Sequence, residues 1–185
     1  MAPEPDDYGD DRDEAYFDRR DPGPRGFDTS LLHQPIDLLS GRKPLVFGPE
    51  DTVTEAMRAM QRDSRGAVLI TEDGTTDSRL IGIFTERDVL FRIIDRGQNP
   101  ATLPLRQVMT PDPESLPADA RLAWVLNMMS VGGFRHVPVV DDHGRPVHLV
   151  SVKDVVEFLV EAFPREVLNL PTEFRPPMTR TREGA

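Results

Sequence analysis

Two stretches of this chain repeat one another, and an internal repeat restricts the fold more than any single motif does. LIGIFTERDVLF (80–91) and HLVSVKDVVEF (148–158) share an apolar run, a Thr or Ser, two residues, an Asp and an apolar helical pattern. Upstream, Val53, Ala56, Met57 and Met60 mark one helix face by their 3, 4 and 7 spacing. Leu122, Val125, Leu126 and Met129 mark another, each 69 residues after its counterpart. Short strands fit around them: PLVF (44–47), GAVLIT (66–71) and LIGIF (80–84) in the first copy, HVPVV (136–140) and VHLV (147–150) in the second. The offset reads as 70 at the strand and 66 after the hairpin, and the TTDSR excess (75–79) absorbs that difference. ERDVLFRII reads as the helix closing copy one, stopped near Gly97. The fold class expected is α/β (α+β), two β-α-β-β-α units joined by a short connector near 97–105.

Composition narrows what such a pair can do. A net charge of −10 and a pI near 4.8 argue against general binding to nucleic acid or anionic membrane, because phosphate surfaces need a basic face. With no cysteine there are no disulfides, zinc–thiolate sites or cysteine nucleophiles. No apolar run approaches a membrane span, and MAPEPDDYGDD lacks the basic and apolar regions of a signal peptide, so a cytoplasmic protein is expected. Residues 1–30 carry ten acidic and four basic side chains with almost no aliphatic ones, and read as a disordered tail. The units are then bounded at 31–97 and 98–163, with a proline-rich tail over 164–185.

Thr85-x-x-Asp88 and Ser151-x-x-Asp154 admit two readings, and periodicity alone does not choose between them. A Ser or Thr N-cap followed by an acid three residues later is a capping box. The same place, where a strand runs straight into a helix, presents N–H groups and a positive dipole end to an anion. A hydroxyl, a base (Arg87, Lys153) and a carboxylate there suit a phosphorylated sugar. No Ser–His–Asp order, P-loop or dinucleotide glycine fingerprint appears, so no enzymatic activity is expected. His33, His136, His143 and His148 include no helical metal-ligand pair, and Asp141-Asp142 with Gly144 reads as a turn.

From about Pro35 to Phe163 the chain resembles a tandem pair of cystathionine-β-synthase (CBS) domains, a Bateman-type regulatory module that binds adenosine nucleotides. The resemblance rests on GIFTERD, LVSVKD, FRHVPVVDDHG (134–144) and QVMTPDPESLPAD. It implies two repeats packed by their sheets about a pseudo-two-fold axis, with two clefts between them. It also implies that Asp88 and Asp154 bind ribose, that Thr85 and Ser151 take phosphate, and that Arg87, Lys153, Arg135 and His136 assist. Thr110 and Gly66 would line the purine side. Where the family often has Gly before the second motif, His148 stands here, so crowding is expected to weaken the second cleft; copy one keeps Gly82.

The reading that follows is a stand-alone regulatory module sensing AMP, ADP or ATP, with or without Mg2+, and signalling to an unidentified regulated protein. A homodimer is expected through Met57, Met60, Trp124 and Met128 on helix surfaces. The alternative is a structural or dimerising module with no small-molecule ligand.

Overall fold

The first helix, α1 (Val53–Arg62), begins where its capping residues require. Thr52 has extended backbone, its hydroxyl accepts the Glu55 N–H at 3.3 Å, and the Glu55 carboxylate accepts the Thr52 N–H at 2.8 Å. Val53, Ala56, Ala59 and Met60 form its buried face. Met60 is therefore core, on the face its spacing gave it, and not the dimer-forming surface expected of it, since it belongs to the first hydrophobic cluster with Phe84 and Ile70.

A computed structural model describes residues 29–39 and 43–164. The chain divides into units Met1–Leu31 and Leu32–Ala185, and only Thr29–Leu31 of the first are described, as the start of a 3-10 turn over Thr29–His33. The tails expected over 1–30 and 164–185 lie outside the described residues, except at 29, 30 and 164.

In copy one, β1 (Val46–Phe47) pairs parallel with β2 (Ala67–Thr71), which pairs antiparallel with β3 (Leu80–Thr85). Helix α2 (Glu86–Asp88) follows and passes at once into a π-helix, Val89–Ile94, which Gly97 ends at a φ of 60°. Its wide turn closes with the Asp95 N–H on the Leu90 carbonyl. Strand β4 (Thr110–Pro111), which follows the connector, adds itself to β3 as a fourth strand of this sheet. Copy two has β5 (Leu116–Pro117), α3 (Leu122–Ser130), β6 (His136–Val140), β7 (Pro146–Ser151) and α4 (Val152–Ala162), an α-helix throughout. Its sheet has the order β5-β6-β7.

Register corrects the offset of 70 read at the strand. Ala67 lies opposite Thr85 and His136 opposite Ser151, while Phe47 faces Ile70 and Leu116 faces Val139. The offset therefore stays at 69 through the strand and falls to 66 only across the hairpin, where the longer turn of copy one sits.

The repeats also exchange their lead-in segments. Ile36 and Leu39 are buried in the core of copy two, and Leu103, Leu105 and Val108 in the core of copy one. The Ile36 N–H donates to Ala120 and Leu122 to Gln34; in the same way Leu105 donates to Asp51 and Val53 to Leu103. Every partner of the second set is 69 residues from its counterpart in the first. A third cluster joins the copies: Ala67, Leu69, Leu80 and Ile83 pack on Leu149 and Val140, so β2 is buried on both faces. This is the pseudo-two-fold pair of α/β repeats expected from the sequence.

Candidate functional site

The strand-to-helix junction of each repeat opens on a cleft at the contact between the two copies. Thr85, Arg87 and Asp88 line the first, of about 440 Å³, together with Thr110 from β4. Ser151, Lys153 and Asp154 line the second, of about 220 Å³. Gly66, Arg135 and His136 stand on both. All ten residues singled out from the sequence thus fall on one cleft or the other.

Both motifs cap their helices. The Asp88 Oδ2 accepts the Thr85 N–H at 2.8 Å and the Thr85 hydroxyl at 2.7 Å. The Asp154 Oδ2 accepts the Ser151 N–H at 2.7 Å and the Ser151 hydroxyl at 2.6 Å. The first helical N–H of each junction is also taken, Glu86 by the Gly66 carbonyl and Val152 by the Arg135 carbonyl. Fewer N–H groups therefore face the clefts than a bare helix start presents. Arg87 and Lys153 are exposed at the mouths, and Lys153 forms an ion pair with Glu157 at 3.3 Å.

His136 sits where the clefts meet. Gly66 allows this, since a Cβ there would lie 2.9 Å from the imidazole Cε1 and Nε2. Burial holds the His136 imidazole below the ordinary histidine value of 6.5, even though the Glu86 and Asp154 carboxylates pull the other way. At neutral pH it is therefore a neutral group, able to assist by hydrogen bonding rather than by charge. By the 69-residue offset its counterpart in copy one is Ala67, which cannot reach across.

His148 does not line the second cleft, contrary to the expectation that it crowds it. Gly82 holds the matching place in β3, and the space a Cβ would take there belongs to Met109, which packs on the first core. Neither Gly82 nor His148 lines a cleft, so the smaller second cleft has another cause. Asp141 is a turn residue as expected: its Oδ1 accepts the His143 and Arg145 N–H groups, each at 2.9 Å.

Sequence reasoning missed Arg92, which lines the first cleft and forms an ion pair with Asp88 at 3.1 Å. The signal was its place four residues after Asp88 on a helix. Glu86, Ile83 and Pro138, which also line this cleft, were missed as well. Among the described residues, no group of three or more His, Cys, Asp or Glu side chains is placed to hold a metal ion. Nor is any helix long and apolar enough to cross a membrane.

The CBS domain family model matches residues 37–95 and 105–161, and the chain belongs to that family. CBSCBSPB1, a CBS domain-containing protein of Arabidopsis thaliana, is 37% identical over 119 residues, 64% of this chain and 21% of that one. The meiotically up-regulated gene 70 protein of Schizosaccharomyces pombe is 33% identical over 113 residues, 61% of this chain and 15% of that one. The chain thus spans only a minor part of these two relatives. A CBS domain protein from Pyrobaculum aerophilum, solved complexed with AMP, has the same fold: TM-score 0.62 and 21% identity, covering 69% of this chain and 97% of that one.

Proposed function

We propose that the paired repeats bind an adenine nucleotide, AMP, ADP or ATP, in the cleft fronted by Thr85, Arg87 and Asp88, and act as a regulatory rather than a catalytic module. The observation that carries this is the convergence of a buried carboxylate, a hydroxyl and two exposed arginines on one space of about 440 Å³. Asp88 takes the ribose hydroxyls, while Arg87 and Arg135 meet phosphate. His136 offers a neutral donor or acceptor, and Ile83, Pro138 and Thr110 flank the purine. Any Mg2+ arrives with the phosphates. The AMP carried by the Pyrobaculum aerophilum protein supports this ligand class.

Occupancy shifts the packing of one repeat on the other, and a regulated protein in the cytoplasm reads the shift. A second copy of the module covers the exposed apolar helix surface, where Phe91 and Ile94 are 62% and 65% exposed and Trp124 is 61% exposed. A purely structural module is the second reading, favoured by the fact that both motifs already cap helices.

A thermal-shift panel of AMP, ADP, ATP, NAD and S-adenosylmethionine separates the two. At one hundred times its dissociation constant a ligand bound only by the folded state adds about 2.7 kcal/mol of stability. At least one adenine nucleotide should raise the melting temperature. A panel with no shift at millimolar ligand leaves the structural reading.

A further inference from the structure

The two motif carboxylates accept the same two hydrogen bonds but differ in whether a guanidinium is paired with them. A carboxylate offers about four acceptor positions. At Asp88 two are filled, both on Oδ2, by the Thr85 N–H and hydroxyl, and the Arg92 Nε stands in an ion pair with the other oxygen, Oδ1, at 3.1 Å. At Asp154 only the two from Ser151 are filled by described residues. The position matching Arg92, four residues past Asp154, is Phe158, which packs against the second core.

Arg92 does more than pair with Asp88. Its Nη1 donates to the Val108 carbonyl at 2.6 Å, and its Nη2 to the Thr110 hydroxyl at 2.9 Å. One guanidinium therefore holds together the carboxylate assigned to ribose and the strand β4 wall assigned to purine. Both halves of an adenosine unit need groups that Arg92 already occupies. Arg92 is not placed with the cations at the phosphate end, because its three contacts all lie on the nucleoside side.

We propose that Arg92 is an internal latch of the first cleft, competing with the nucleoside for Asp88 and Thr110, so that seating of ribose and purine requires its guanidinium to swing out. This rests on the nucleotide reading above. It makes the larger cleft the self-blocked one and leaves the second without a latch. It also gives occupancy a physical route outward. Releasing Val108 and Thr110 loosens β4, the strand by which the chain leading into copy two joins the first sheet.

The test is calorimetry with AMP and with adenosine on the full chain carrying Asp154→Ala, which silences the second cleft. Arg92→Met and Arg92→Gln are compared with Arg92. Gln keeps a donor for the Val108 carbonyl, so it reports even where the Met variant folds poorly. A latch predicts that both ligands bind about five- to thirtyfold tighter in both variants, and by the same factor, since a charge-assisted contact no longer competes. Weaker AMP binding with unchanged adenosine binding would make Arg92 a phosphate contact and overturn the latch. Unchanged affinity for both ligands would overturn it too. If neither ligand binds even the wild-type chain, the nucleotide reading itself fails and the latch with it, which is distinguishable from a latch that fails while binding persists.

Discussion

The two clefts carry the same motif in different surroundings. Thr85, Arg87 and Asp88 match Ser151, Lys153 and Asp154 at an offset of 66. Beside them, Glu86 is matched by Val152, Arg92 by Phe158 and Ala67 by His136. Asp88 is 8% exposed and held by a guanidinium, whereas Asp154 is only partly buried. Duplication thus supplied two helix caps, and the neighbours decide how each carboxylate is used. A motif fixes local geometry, while acceptor capacity, volume and charge come from residues outside it.

The sharpest way to break this comparison is through stability. Asp88→Ala takes from Arg92 its carboxylate partner in a mostly buried setting as well as removing a cap, and should cost about 2 to 4 kcal/mol. Asp154→Ala removes the cap contacts alone and should cost about 1 kcal/mol. Urea unfolding of both variants checks the difference, and equal losses would mean that the Arg92 contact contributes nothing.

A second variant asks whether the clefts are joined through His136. Gly66→Val places methyl groups where the imidazole lies, and overpacking of this kind costs about 1 to 3 kcal/mol. Because Gly66 and His136 line both clefts, ligand-induced stabilisation should fall in Asp88→Ala and Asp154→Ala backgrounds alike. A loss confined to one background would separate the clefts.

The smallest effect expected is on pH dependence. The folded His136 holds its proton less tightly than the unfolded chain does, so unfolding takes up a proton. Its contribution is present above the unfolded value of about 6.5 and is lost as pH falls through the lower folded value. Glu86 and Asp154 face the ring and Arg135 adjoins it, so the comparison is made as a difference between wild type and His136→Gln. Wild type should lose more stability than the variant between pH 7 and pH 5. Parallel curves would show that burial of His136 carries no proton linkage.

Much of the fold was legible because apolar periodicity is a local property. The faces of α1 and α3 and the strands from Ala67 to Thr85 and from His136 to Ser151 follow from spacing and β-type residues. The lead-in exchange was not legible. Ile36 and Leu105 look alike as isolated apolar residues, and nothing in their own neighbourhoods says that each is buried against the other repeat. The motif residues were readable because Thr85 and Asp88 are neighbours in sequence. For Arg92 only the pairing with Asp88 was readable, since its other contacts are to Val108 and Thr110, far off in sequence on and just before β4. The misreading of His148 has a similar origin: spacing gave its place before the motif, but not the face of β7 it occupies.

The most direct test of the account is calorimetric titration of AMP into the Asp154→Ala chain with and without Asp88→Ala, with each protein shown to be folded at the working temperature. If Asp88 binds ribose in the first cleft, two charge-assisted hydrogen bonds are lost, and affinity should fall by about 30- to 1,000-fold. Equal affinity in the two proteins would contradict the ribose assignment and leave Asp88 as a helix cap.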